Sequence, residues 1–220
     1  MHFSTRTLWA AVACLAPVVL QAAPVTANPS LSVSGLNFSN FTCSVTKGGP
    51  LAAPYNCGEV NVNTITQPGA GIAFSSGFTA ALDSFDDAVL SYHVSSAAGL
   101  SSIGLDFNGT FFGLGISSVT ESVYSGNQLV GFAQVSCGVV GGCSRTDSIS
   151  LPGLYNNLFI KKDISVTAGA PGLAQASYID QTFTATPEPG STALLGTGLL
   201  AVAALLRRRS MLGKEVKKQA

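Results

Sequence analysis

The side chains able to do chemistry are few. The sequence has two histidines, His2 at the extreme N-terminus and His93 in the body. A Ser-His-Asp or Cys-His nucleophile in the body would have to use His93. It alternates with Tyr92 and Val94 in a strand pattern, which predicts an outward-facing strand residue. No Gly-x-Ser-x-Gly elbow occurs. Asp83, Asp86 and Asp87 form the densest carboxylate group. Hard oxygen ligands at such spacing are weak candidates for holding Ca²⁺, although the Asp-x-Asp-x-Asp-Gly pattern of an EF-hand is missing. A solvated turn ahead of the strand at Val89 is the simpler expectation. Glycosidase chemistry needs two carboxyls about 5 Å or roughly 6.5–9.5 Å apart. Asp106, Glu121 and the Asp83 group could supply such a pair only in three dimensions. The expectation is therefore no catalytic residue, no resident metal and no cofactor. No Gly-rich phosphate loop or dinucleotide fingerprint appears among the 24 glycines.

These residues need a scaffold, and the pattern predicts one made of strands. Val60, Val62 and Thr64 alternate with asparagines, as Leu90, Tyr92 and Val94 alternate with polar residues. Ile103, Leu105 and Phe107 repeat the pattern. Breakers separate such runs: Gln67-Pro68-Gly69, Asn108-Gly109, Ser125-Gly126-Asn127, Gly141-Gly142 and Ala170-Pro171-Gly172. Asn108-Gly109 is the sharpest signal for a two-residue hairpin. No stretch of the body carries a convincing helical stripe. Eight or more short strands predict an all-β sandwich over residues 28–186, jelly-roll-like or immunoglobulin-like. Phe74, Phe78, Phe107, Phe111, Phe112 and Phe132 are the expected aromatic core.

Between Asn28 and Thr186 four basic side chains face nine acidic ones. With no basic face, nucleic acid is excluded as a partner. Four cysteines lie in the body: Cys43, Cys57, Cys137 and Cys143. An even number in an exported chain reads as disulfides. Three pairings exist, and Cys43–Cys57 with Cys137–Cys143 is favoured because each closes a short local loop. Neither pair has the Cys-x-x-Cys spacing of a zinc site, and no histidine stands near either.

Export itself is read from the two ends. Residues 1–27 have the form of a secretory signal peptide: Arg6, an apolar stretch from Leu8 to Leu20, then small residues up to Ala27. Cleavage after Ala27 fits best, with Ala22 and Ala23 as alternatives. At the other end, Pro187-Glu188-Pro189 precedes an uncharged run, residues 191–206, and then Arg207, Arg208 and Arg209. As a helix this run spans roughly 24 Å, a short transmembrane segment. The arginines and the basic tail at 211–220 would stay cytoplasmic, leaving the body across the inner membrane.

This order of Pro-Glu-Pro, apolar span and arginine cluster over 187–210 resembles the PEP-CTERM sorting signal of Gram-negative bacteria. The resemblance implies recognition by an exosortase-type membrane enzyme and delivery to the cell surface or matrix. It also implies a host that makes extracellular polysaccharide. Together with the missing active site, it gives the expected function: a non-enzymatic exported protein, membrane-anchored and then at the surface, associated with exopolysaccharide. The alternative is a carbohydrate- or calcium-binding module. A secreted hydrolase ranks third.

Overall fold

The computed structural model describes residues 22–51, 56–186 and 195–203. Two short 3₁₀ turns, η1 (Val25–Ala27) and η2 (Cys57–Glu59), accompany nine strands. These are β1 (Ala23–Pro24), β2 (Leu31–Val33), β3 (Leu36–Gly48), β4 (Asn61–Ile65), β5 (Gly71–Ala81), β6 (Ser84–Ser125), β7 (Gln128–Gly138), β8 (Gly142–Ser144) and β9 (Thr146–Ala185). All pair antiparallel in one nine-stranded hydrogen-bonded sheet. The all-β expectation holds. The expectation of short strands does not, because β6 and β9 have 42 and 40 residues.

Their registers explain the length. Residues 84–95 of β6 pair with 157–168 of β9, and residues 115–124 of β6 pair with the other edge of that same run. In between, residues 100–113 of β6 pair with 172–185 of β9. Each long strand thus leaves one layer, crosses to the other and returns, β6 starting from the first layer and β9 from the second. Strands that switch layers through bends and bulges make the corners of such folds. The first layer runs β2, β3, start of β6, middle of β9, end of β6, β7, β8. The second runs β1, β4, β5, end of β9, middle of β6, start of β9.

The core lies between these layers because each strand buries alternate residues. Ala88, Leu90, Tyr92 and Val94 point inward from the first layer, and Ile72, Phe74, Ile179 and Phe183 from the second. Rings meet across the gap: Phe38 and Phe183 centroids lie 5.5 Å apart, Phe74 and Tyr92 5.7 Å. Of the six expected core phenylalanines, Phe74, Phe78 and Phe107 are buried and Phe111 is partly buried against the core. Phe112 and Phe132 are 71% and 56% exposed. Strand alternation is the reason: Phe112 follows the inward-leaning Phe111, and Phe132 sits opposite outward-facing Ser122.

Asn108-Gly109 forms no hairpin. It is a bulge inside β6, where Phe107 opposes Ile179 and Gly109 opposes Ala176. A side chain at Gly109 would lie 2.2 Å from the Phe107 ring, so this glycine serves packing rather than turning. Ala170-Pro171-Gly172 likewise ends no strand. It is a corner of β9, packed so closely that a Cβ on Gly113 would lie 2.2 Å from the Pro171 carbonyl oxygen. Ser125-Gly126-Asn127-Gln128 is a true two-residue hairpin, with Gly126 at φ +57°.

The cysteines pair as the local-loop reading expects, Cys43 with Cys57 and Cys137 with Cys143. The first ties β3 to η2 over a sequence separation of 14, a closure worth about 3 kcal/mol on the chain-entropy model. The second joins directly opposed residues of β7 and β8.

At the N-terminus most of the expected signal peptide, residues 1–21, lies outside the described residues. Ala23–Pro24 pairs with β4, Val25 is buried, and its N–H reaches the Val60 carbonyl at 2.8 Å. At the C-terminus Pro187, Glu188, Pro189, Arg207, Arg208, Arg209 and the tail at 211–220 also lie outside the described residues. Residues 195–203 of the expected 191–206 span are helical, with Leu195, Leu199, Leu200 and Val202 exposed. No helix among the described residues is long and apolar enough to cross a membrane.

A glycine pair tests the β5–β9 register. A Cβ on Gly71 would lie 1.8 Å from the Gln181 carbonyl oxygen, whereas one on Gly77 would meet nothing within 4 Å. Gly71→Ala is expected to lose about 2–4 kcal/mol in denaturant unfolding, and Gly77→Ala to stay within about 0.5 kcal/mol of the parent. Equal effects would contradict the register.

Candidate functional site: an aromatic row on the outer face

The side chains that alternate out of the core on the first layer form rows across its strands. His93 and Tyr124 are both register partners of Phe159, from the start and the end of β6. Their rings touch in sequence: His93–Phe159 centroids lie 5.2 Å apart and Phe159–Tyr124 6.2 Å. All three are half-buried, with one edge to solvent. Lys161, the next outward residue on β9, is exposed and opposes Ser91 on one side and Ser122 on the other. Thr42 and Ser91 join hydroxyls at 2.6 Å beside it, and exposed Phe132 extends the apolar surface beyond Ser122.

The hairpin between β6 and β7 raises a wall at one end of this row. Gly126 and Asn127 in its turn, with Tyr124, Phe159 and Lys161, line a groove. Sequence reasoning placed His93 outward, and the structure does too. It missed the row, because Phe159 and Tyr124 become neighbours of His93 only through the double pairing of β6 with β9. Chemically the row offers ring faces, hydroxyls, an amide and one ammonium. Flat apolar faces flanked by hydrogen-bonding groups suit a sugar ring, which has an apolar C–H face and an equatorial fringe of hydroxyls. No hydrogen bond joins His93 to a serine or an aspartate among the described residues.

The expected carboxylate groups disperse. Asp83 sits at the exposed β5–β6 turn and accepts the Ala170 N–H at 3.0 Å. Asp86 turns inward, fully buried, and accepts the Thr79 N–H at 3.4 Å. Asp87, next along the strand, points to the opposite face beside Asp163. Adjacent strand residues must face opposite sides, so these three do not converge. No group of three metal-ligating side chains forms among the described residues. The supposed acid pair is likewise dispersed: Glu121 is in the core, and Asp106 is on the outer face of the second layer.

The register instead brings Asp106 beside Asp180, its direct cross-strand partner, with Asp147 on the neighbouring strand. Together with Pro68, Gly104, Thr146 and Thr182 they line a second pocket. Asp147 is committed to backbone, accepting from Gln134 N at 2.8 Å and Ser148 N at 2.7 Å. Burial holds the Asp180 carboxyl above the usual carboxylate range, opposed by its hydrogen bond with Tyr178 and reinforced by Asp106.

The fold's most demanding polar group is in the core. Glu121 and Lys162 are direct register partners on the inward side of the first layer, both fully buried and joined as an ion pair. Gln181 reaches across from the second layer, donating to Glu121 Oε1 at 2.9 Å and to the Gly104 carbonyl at 3.3 Å. Burial lowers the Lys162 pKa, opposed by Glu121. Burial and the Glu121 charge raise Tyr92 well above its ordinary value. In a buried pair of this kind desolvation offsets the attraction, while removing one partner alone leaves an uncompensated buried charge.

A search of curated proteins finds no relative of this chain. Its residues 185–209 match the PEP-CTERM protein-sorting motif, so the chain carries that motif directly after β9. Among solved structures, the carbohydrate-binding module TmCBM61 in complex with beta-1,4-galactotriose is 16% identical, covering 64% of this chain and 88% of its own, at a TM-score of 0.33. The CBM36-1 domain of a multidomain xylanase from the hindgut metagenome of Trinervitermes trinervoides is 18% identical, covering 64% and 95%, at 0.24. The carbohydrate-binding module CBM6cm-2 from Cellvibrio mixtus lichenase 5A is 16% identical, covering 57% and 88%, at 0.24. At scores this low the architecture stands on the register and core alone.

The raised carboxylates fix a pH dependence. Asp86 is raised by burial, against its Thr79 N–H bond and Lys47. Asp87 is raised by burial and then by Asp163. Their folded pKa values exceed the unfolded ones, so the folded state binds protons more tightly. The stabilisation is complete below about pH 4 and is lost as pH rises through the folded values. Thermal melts should therefore show higher stability at about pH 4.5 than at about pH 7, with a smaller difference in Asp87→Asn. A larger difference in that variant would contradict the assignment.

Proposed function

We propose that this chain is a non-enzymatic β-domain exported to the cell surface or matrix, where it binds polysaccharide through the His93–Phe159–Tyr124 row. The observation that carries the delivery half is the sorting motif at 185–209, which begins where β9 ends. It supports recognition by an exosortase in the inner membrane and removal of the tail. The disulfides fit an oxidising destination. The N-terminal cut falls before Ala23 rather than after Ala27 on this reading, because the later cut would strip β1 and the buried Val25 from the core.

The row supports the binding half. Its rings are held by register on three adjacent segments of β6 and β9, so a sugar finds a preformed stacking surface at little ordering cost. Lys161 favours glycans that carry carboxylate or sulfate groups.

Delivery is tested in an exosortase-bearing host. Replacing Arg207, Arg208 and Arg209 together by alanine should shift the protein from the surface fraction to the membrane fraction, whereas unchanged surface display would sink the sorting half. Binding is tested by calorimetry with the host's acidic polysaccharide. Phe159→Ala should weaken it by about tenfold, the loss of one stacking contact, and Phe112→Ala, on the second layer, should leave it unchanged. No heat with the parent chain would remove the binding half alone.

A further inference from the structure

We propose that Lys162 and Gln181 react to form an intramolecular isopeptide bond, with Glu121 as the acid–base group that moves the proton. All three are fully buried polar side chains, each at 0% exposure. One carboxylate holds both reactants: Lys162 Nζ lies on Glu121 Oε2, and Gln181 Nε2 lies on Glu121 Oε1 at 2.9 Å. The amine and the carboxamide are thus held on the two oxygens of one carboxylate, which can carry a proton between them. Fixed neighbours of this kind react as if at very high concentration.

The chemistry follows from the surroundings. In an apolar core burial acts on Lys162 toward the neutral amine. A neutral lysine amine in a desolvated site is a nucleophile. Lys162 Nζ attacks Gln181 Cδ and forms a C–N bond. The Cδ–Nε2 bond breaks, one proton passes from Nζ through Glu121 to Nε2, and ammonia leaves. No oxidant, reductant or further reactant is needed. Glu121 is the carrier rather than the acceptor, because it touches both nitrogens, and a carboxylate is a poor electrophile. Gln181 Oε1, where negative charge would gather, has no hydrogen-bond partner. Tyr92 Oη is likewise buried without a partner and feels the Glu121 charge.

The bond would staple the two layers across the core, since Lys162 belongs to the first and Gln181 to the second. That suits a protein that must last where no cellular machinery refolds it. The inference stands on the core geometry and does not depend on the sorting or glycan reading.

Peptide mapping of the full-length chain, purified in detergent, reduced and digested, tests it. The expected product is a branched peptide joining the Lys162 and Gln181 segments, lighter than their sum by one ammonia. Glu121→Gln should give the two segments as separate peptides at full mass. Separate segments in the parent chain would overturn the proposal. So would a branched peptide joining Lys162 to Glu121 and lighter by one water, or branched peptide persisting in Glu121→Gln. The parent map decides the question even where that variant fails to accumulate.

Discussion

Everything in this molecule depends on one run of β9, residues 157–168, being paired on both edges by the same strand. The start of β6 lies on one side of it and the end of β6 on the other. To reach both edges β6 must leave the layer and come back, and that excursion builds the middle of the second layer. The end of β9 follows it there. The core is the space enclosed by the excursion. Such pairings are far apart in sequence, so the closure entropy is large and must be met by burial. Leu158, Ile160, Ile164 and Val166 supply it from this run, each buried.

The same run carries both chemically notable groups, on opposite faces. Odd-numbered Phe159 and Lys161 face out, and Phe159 meets His93 and Tyr124 from the two arms of β6. Even-numbered Lys162 faces in and meets Glu121. A one-residue slip would expose Lys162 and bury Phe159. The buried ion pair penalises that slip, because Lys162 satisfies Glu121 only in the observed register. The outer row therefore owes its spacing to the inner pair. An exposed aromatic row and a buried polar cluster are two consequences of one alignment.

Much of this was legible in the sequence and some was not. The alternation around Leu90, Tyr92 and Val94 is a local property, so the strand and the outward direction of His93 could be read directly. The cysteine pairing was legible because each loop is short. The sorting signal was legible because its three parts are consecutive. What failed was non-local. Asn108-Gly109 has hairpin chemistry, but the unbroken partner run in β9 and the ring of Phe107 convert it to a bulge. Phe112 and Phe132 look like core by type, yet their phase on the strand turns them outward. Asp83, Asp86 and Asp87 are close in sequence and apart in space. Glu121, Lys162 and Gln181 are the reverse: each reads singly as a surface residue, and only the register brings them together.

The sorting motif and the β-domain meet at Ala185, where the last strand ends and the matched residues begin. Fold and address are therefore adjacent but separable, and the account requires that they be separated. Intact-mass measurement of the protein recovered from the surface of an exosortase-bearing host tests this most directly. The expected species starts at Ala23 and lacks Arg207, Arg208 and Arg209. A surface species that still carries the leader and Arg207, Arg208 and Arg209 would contradict it.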